Sequence, residues 1–153
     1  MNKKSNKTAI DKKISIGVKT SELKEDKKVD LDFNILINNA HTNAVKKGFW
    51  DNKSEVGTLL MLITSELGEA LEAHRTGKLL NREKFLALKG VATKKDRRIF
   101  ERDFKETFEV EIADVFIRLF DLCGGLDIKD IARCIQLKME YNEGRERLHG
   151  KRY

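Results

Sequence analysis

Proline is absent from this chain of 153 residues, and so are long apolar runs. Without proline, the residue that most often interrupts a helix, long continuous helices are possible throughout. No run approaches the ~20 apolar residues that span a membrane, and no apolar segment follows the N-terminal lysines, so we expect neither a membrane helix nor a signal peptide. Cys123 and Cys134 lack the CxxC spacing of zinc and redox sites, which is typical of reduced cysteines in a cytoplasmic protein.

The net charge of +6 is concentrated at the N-terminus. Residues 1–28 contain nine lysines against four acidic residues, whereas the other 125 residues contain 22 basic and 21 acidic ones. Because a charged segment with few apolar residues buries too little surface to fold, residues 1–29 are predicted to be a disordered basic tail and residues 30–153 a single folded domain. The near-neutral charge of that domain argues against nucleic acid as a partner, since nucleic-acid-binding domains carry a basic face.

Apolar residues recur at helical spacing in four segments of the domain, which predicts an all-α fold. The first predicted helix runs from Leu31 to Lys47 and the second from Glu55 to Arg75, while the third runs from Lys105 to Cys123 and the fourth from about Asp127 to Arg145. Residues 76–104 are highly charged and less regular. They are predicted to be an excursion with short helical turns between the second and third helices.

Two of these helices are expected to be largely buried. The third is apolar nearly all round, which is typical of a buried helix. The second has one apolar face. The residues predicted to point from this face into the core are Leu59, Leu60, Ile63, Leu67, Ala70 and Leu71.

Two pairs of acidic residues interrupt these apolar helices: Glu66 and Glu69 in SELGE, and Glu111 and Asp114 in EIAD. Residues three positions apart are neighbours on a helix, so the two carboxylates of each pair repel each other. Burying such a pair is costly unless a cation neutralises it. Carboxylate oxygens without thiolate or imidazole suit Mg²⁺, or Mn²⁺ as the alternative. The two pairs predict a divalent-metal site and therefore an enzyme. The competing interpretation is that both pairs are exposed surface charges.

The fourth helix predicts an anion site. Its inward face begins with isoleucines and continues with Lys138, Asn142 and Arg145, which are groups that bind phosphate oxygens. The alternative is a solvent-facing helix end. On the third helix, Arg118 and Asp121 share the stripe of the acidic pair, so Arg118 is expected to pair with Asp121 or Asp114.

Two aromatic side chains near the end of the first helix are candidates for contact with a nucleobase. His41 lies at the edge of the apolar face of that helix, and Trp50 follows the helix directly. Aromatic rings stack on bases with little preference for base identity, which favours such a role. For both residues the alternative is a structural role.

Taken together, these motifs resemble those of the MazG-like nucleoside-triphosphate pyrophosphohydrolases, a family of the all-α NTP pyrophosphatase superfamily. The family pattern EExxE followed by ExxD is similar to SELGE (Ser65 to Glu69) and EIAD here, with Ser65 in place of the first acid. The segments HTNAVKKGFWD, LITSELGEALEAHR, EIADVFIRLFDLCGGL and KMEYNEGRERLHGKRY resemble phage and prophage members. The likeness covers about residues 31–153 and is weakest over residues 76–107.

The resemblance implies a four-helix-bundle-type fold that hydrolyses a (d)NTP between its α- and β-phosphates, giving (d)NMP and pyrophosphate for control of the nucleotide pool. It also implies a homo-oligomer, either a dimer or a tetramer, with sites near subunit contacts. The implied Mg²⁺ ligands are Glu66, Glu69, Glu111 and Asp114. The implied contacts to phosphate or sugar are Lys138, Asn142 and Arg145.

Glu69 is the preferred proton acceptor, and Glu66 is the second candidate for a catalytic role. Two alternative functions stay open at this point. One is a non-catalytic helical interaction module whose basic tail touches nucleic acid. The other is a base-selective dUTPase or dCTPase on the same scaffold.

Overall fold

A computed structural model of the protein describes residues 32–52 and 55–147. Within these ranges the chain contains six helices and no strand, which confirms the prediction of an all-α protein. The predicted tail, residues 1–29, lies outside the described residues. The helices are α1 (Phe33–Lys46), α2 (Val56–Arg75), α3 (Arg82–Ala87), α4 (Lys94–Asp103), α5 (Phe108–Gly125) and α6 (Ile131–Glu143).

Local chemistry accounts for several helix ends. The side chain of Asp32 accepts a hydrogen bond from the Asn34 N–H at 2.7 Å and caps α1. Thr93 caps α4 in the same way, since its hydroxyl oxygen accepts from the Asp96 N–H at 3.1 Å and its O–H donates to the Asp96 carboxylate at 2.7 Å. After α1, Gly48 adopts a φ of +81°, a conformation that favours glycine and stops the helix.

Helix α5 is the centre of the packing, with α1 against one side and α2 against another. Ile63 of α2 meets Val115 and Leu122 of α5 in a buried apolar cluster, and Leu59 packs against this cluster. The prediction that Ile63 faces the core is therefore confirmed. The consequence for the site is that the middle turns of α2 and α5 are held in direct contact.

Many apolar side chains of α2 and α5 are exposed, because no other part of the described chain packs on them. Leu60, Leu67 and Leu71 are 49%, 48% and 58% exposed, although all three were predicted to face the core. Phe116 and Ile117 of α5 are also about half exposed, at 54% and 50%. The prediction of a helix α5 buried all round is wrong for this face, because two helices cover only part of its circumference.

The charged excursion between α2 and α5 contains the short helices α3 and α4 and has an apolar anchor of its own. Phe104 is 1% exposed, and the rings of Phe85 and Phe100 pack against it with centroids 5.4 Å and 6.3 Å away. The N–H of Phe108 donates to the carbonyl of Lys78 at 2.9 Å. This bond joins the start of the excursion to the first residue of α5, so both ends of the excursion lie together.

Helix α6 is the most exposed of the long helices. Within the described part of the chain, the substantial packing joins α5 to α1 and to α2, and α6 makes no comparable contact. Its apolar side chains Ile135, Leu137, Met139 and Tyr141 are all exposed. A closed bundle of four helices therefore stays a prediction, because α6 does not complete it within one protomer.

Candidate metal centre

Three carboxylates from two helices converge where α2 packs on α5. Glu66 comes from α2, one turn after the core residue Ile63, and Glu111 and Asp114 come from α5. One oxygen from each carboxylate lies within 4.8 Å of the others. Because Mg²⁺ binds oxygen at about 2.1 Å, ligands on opposite sides of one ion are about 4.2 Å apart, so small side-chain movements would let the three share an ion.

Glu111 is the most deeply placed of these acids, at 7% exposed. Among the described residues no hydrogen bond or ion pair is made by its carboxylate, and neither carboxylate oxygen is fully buried without a partner. Burial raises the pKa of its carboxyl group above the usual range, and the charges of Glu69, Asp114 and Glu66 raise the pKa further. A buried carboxylate that borders a cavity and has other acids as neighbours fits a metal ligand.

The pKa of Asp114 is raised in a similar way. Burial raises the pKa of its carboxyl group, the neighbouring Glu66 raises the pKa further, and Arg118 lowers the pKa in part. All donors in the group are hard oxygens, which suits Mg²⁺ or Mn²⁺ better than softer metals. The donor set therefore fits the ion that the sequence predicts.

Glu69 is placed differently from the other three acids. It is exposed on α2 and is not part of the group within 4.8 Å, although it is near enough to raise the pKa of Glu111. Glu69 and Glu111 line one cavity of about 280 Å³ together with Lys78 and Lys105, which we call the Lys105 cavity. Glu69 thus lies beside the group and faces a cavity that also presents positive charge.

A second cavity, of about 240 Å³, opens on the α1 side of the same carboxylates. Its lining includes Glu66 and Asp114 together with Asn43 and Phe49. We call it the Asn43 cavity. Asn43 was not among the predicted site residues. The spacing of Ala40, Asn43 and Ala44, all of which line the cavity, is a helical signal that could have identified Asn43.

Arg118 also lines the Asn43 cavity, and its partner differs from the prediction. It was expected to pair with Asp121 or Asp114 on its own helix. Instead its Nε and Nη2 reach across to Oε1 of Glu66 on α2, at 2.9 Å and 2.8 Å. The expectation for Arg118 is therefore wrong, because the α2–α5 packing brings a better-placed acid within reach.

His41 and Trp50 are joined through Asp121. The indole N–H of Trp50 donates to Oδ1 of Asp121 at 2.9 Å, and Nδ1 of His41 lies 2.9 Å from the same oxygen. A Cβ at Gly124 would lie 2.5 Å from the Cβ of His41, and one at Gly125 would collide with the Trp50 ring. Glycines at the end of α5 thus make room for both rings.

This arrangement bears on the predicted contacts to a nucleobase. Asp121 holds the rings of His41 and Trp50 edge to face, with centroids 5.0 Å apart. The aromatic residue that lines the Asn43 cavity is the neighbouring Phe49, which is 64% exposed. Base contact by His41 or Trp50 stays a prediction, and Phe49 joins them as a candidate.

Two of the predicted phosphate ligands, Lys138 and Asn142, lie on α6, and the third, Arg145, lies just beyond its end. Nζ of Lys138 lies 4.9 Å from the centroid of the Tyr141 ring, and the guanidinium of Arg145 lies 5.7 Å from it. Asn142 follows Tyr141 on the same helix. The cavity that Lys138 lines is formed by α6 residues and contains none of the four acids. Within one protomer the structure does not bring these three residues to the carboxylates.

Comparison with known proteins adds no relative. No protein-family model matches the chain, and neither a curated protein nor a solved structure is significantly similar to it. None of the helices in the described ranges is both long enough and apolar enough to cross a membrane.

The raised pKa values of Glu111 and Asp114 predict how stability depends on pH without metal. In the folded chain both groups keep their protons to a higher pH than in the unfolded chain, so their favourable contribution is complete below about pH 4 and is lost as the pH rises through the folded-state pKa values. In EDTA, we expect the unfolding temperature of the wild type to fall, relative to that of Glu111→Gln/Asp114→Asn, as the pH rises from about 4.

Calorimetric unfolding of both proteins over a pH series is the measurement. Parallel pH profiles for the wild type and the double variant would contradict the prediction. Adding Mg²⁺ should remove most of the loss in the wild type, since a bound cation stabilises the ionised form of both acids.

Proposed function

We propose that the protein is a Mg²⁺-dependent nucleoside-triphosphate pyrophosphohydrolase of the MazG-like class, which converts a (d)NTP to (d)NMP and pyrophosphate. The observation that carries the proposal is the convergence of Glu66, Glu111 and Asp114 from two helices, with oxygens within 4.8 Å of one another and Glu111 buried. The motifs SELGE and EIAD supply these same acids. Sequence resemblance and geometry therefore support one site, with Mn²⁺ as the alternative ion.

Glu66, Glu111 and Asp114 are the residues that would hold the ion. Mg²⁺ bound there would offset the charge of the triphosphate and polarise the attacked phosphoryl group. Glu69 is close to Glu111 but outside the group, which suits a carboxylate that accepts the proton of the attacking water. The water oxygen bonds to the α-phosphorus while the bond from this phosphorus to the oxygen that bridges the α- and β-phosphates breaks, and pyrophosphate leaves.

The proposal includes a homo-oligomer, a dimer or a tetramer, in which α6 acts on a neighbouring protomer. The exposed apolar residues of α2 and α5, such as Leu67 and Phe116, support a covering partner, since contiguous exposed apolar surface marks interaction sites. Helix α6 is itself unpacked within its protomer. The nucleotide bound at the metal site of one copy would then contact another copy through its phosphates. The contacting residues would be Lys138, Asn142 and Arg145.

The first test measures the product of hydrolysis. Wild-type protein with Mg²⁺ and a panel of ribo- and deoxynucleoside triphosphates should release pyrophosphate. Glu111→Gln should lower kcat/KM by about 100-fold or more, because losing even an outer-shell partner of a metal commonly costs 10- to 100-fold, while its circular dichroism stays helical. Glu101→Gln, which neutralises an exposed glutamate on α4, is the matched control and should retain activity.

Each other outcome has a definite meaning. Release of orthophosphate in place of pyrophosphate would assign a different reaction, and full activity of Glu111→Gln would remove this residue from the site. Turnover of dUTP or dCTP alone would make the protein a base-selective member of the class. No turnover of any nucleotide, together with no Mg²⁺-dependent change in unfolding temperature, would favour the non-catalytic interaction module.

The second test asks whether α6 acts on a neighbouring protomer. Glu111→Gln and Lys138→Ala should each be impaired alone, because one lacks a metal ligand and the other a phosphate contact. When the two variants are unfolded together and refolded as a mixture, some sites should combine an intact Glu111 with an intact Lys138 from another copy and regain activity. A mixture no more active than the mean of its parents would contradict an intersubunit site.

A further inference from the structure

Arg118 connects the carboxylate group to the Asn43 cavity. Its Nε and Nη2 both contact Oε1 of Glu66, so the pair leaves Oε2 of Glu66 outside this contact. This is not the parallel two-oxygen arrangement in which arginine binds a carboxylate most strongly. The side chain of Glu66 is 13% exposed and that of Arg118 is 35% exposed. The guanidinium is thus partly open to the cavity while it contacts a largely buried acid.

Arg118 and a metal ion would draw on the same acid. Glu66 belongs to the group of three carboxylates whose oxygens lie within 4.8 Å of one another. A divalent ion in that group would be attracted by Glu66 but repelled by the guanidinium beside it. In the absence of other ligands, Arg118 therefore opposes the binding of a free ion.

A polyphosphate reverses this balance. The Asn43 cavity has Glu66 and Asp114 in its wall, and Arg118 lies in the same wall. An anion that enters with the ion brings phosphate oxygens to the guanidinium, and arginine binds phosphate oxygens well. The ion meanwhile neutralises Glu66, which weakens the attraction between Glu66 and Arg118.

We propose that Arg118 exchanges partners during binding, pairing with Glu66 in the ligand-free protein and with a phosphate oxygen once ion and nucleotide are bound together. The exchange makes the site select the metal–nucleotide complex over the free ion. This inference rests on the proposed function for the identity of the phosphate ligand. The competition between Arg118 and a cation for Glu66 stands on the geometry alone.

The test measures Mn²⁺ affinity and turnover in the same variants. Arg118→Met should bind Mn²⁺ alone about tenfold more tightly than the wild type. One adjacent opposite charge commonly shifts the pKa of a carboxyl group by about one unit or more, and we expect an effect of at least that size on cation binding. Its kcat/KM for the (d)NTP should fall about tenfold or more, because a hydrogen bond to a charged phosphate is lost. If Arg118 exchanges partners, the substitution raises Mn²⁺ affinity and lowers kcat/KM. If Arg118 has only a structural role, the substitution lowers both.

Titration calorimetry with MnCl₂, alone and with a non-hydrolysable α,β-methylene nucleotide, provides the affinities. The analogue should tighten Mn²⁺ binding more in the wild type than in Arg118→Met, since the coupling runs through Arg118. Arg75→Met is the matched control, because Arg75 lies on α2 and is 71% exposed beside Glu72. It should leave both readouts unchanged.

Two further variants keep the test decisive if Arg118→Met does not fold. Arg118→Gln is also neutral and should tighten Mn²⁺ binding, whereas Arg118→Lys keeps the charge and should return the affinity towards that of the wild type. Mn²⁺ affinity that is unchanged or weaker in the neutral variants would overturn the inference, even in an active enzyme. A wild type that hydrolyses no nucleotide would overturn the proposed function and the phosphate half of this inference.

Discussion

Repulsion among acids that the α2–α5 contact forces together is the constraint on which the site depends. The apolar contact of Ile63 with Val115 and Leu122 holds the two helices in register. One turn beyond Ile63, Glu66 then meets the acids of α5 at distances where like charges oppose each other strongly in a partly buried setting. Hydrophobic packing thus supplies the force that keeps the carboxylates in place.

The structure balances that repulsion only in part. Arg118 pairs with Glu66, while burial first and the neighbouring acids second raise the pKa values of Glu111 and Asp114. Excess negative charge and hard oxygen donors favour the binding of a divalent cation, and a bound cation in turn favours the binding of phosphate. The proposed metal, the proposed class of substrate and the proposed exchange of partners by Arg118 all follow from this one electrostatic imbalance.

A second set of contacts shapes the space next to the acids. Asp121 holds His41 and Trp50 at the C-terminal end of α5, where Gly124 and Gly125 leave room for their rings. This arrangement fastens the connection after α1 to α5. Asp121, which contacts both rings, also lines the Asn43 cavity beside the carboxylates.

Local patterns were enough to predict the four longest helices and the two acidic pairs, because helical periodicity and i,i+3 spacing are properties of short segments. The bounds of the fourth helix were less accurate, since α6 begins at Ile131 rather than near Asp127 and ends at Glu143. The partner of Arg118 could not be predicted this way, since a helical wheel shows neighbours on one helix and not the acid that another helix brings close. Exposure of Leu60, Leu67 and Leu71 was missed for a related reason. An apolar face predicts burial, but the number of helices available to cover it depends on the assembly. Likewise, the indole N–H of Trp50 is taken by an acid 71 residues away, which no local pattern indicates.

The decisive experiment is anomalous diffraction from crystals soaked in Mn²⁺. We expect an anomalous peak between α2 and α5 within about 2.2 Å of oxygens from Glu66, Glu111 and Asp114. A protein that binds Mn²⁺ at another place, or shows no peak at these carboxylates at saturating Mn²⁺, would contradict this expectation.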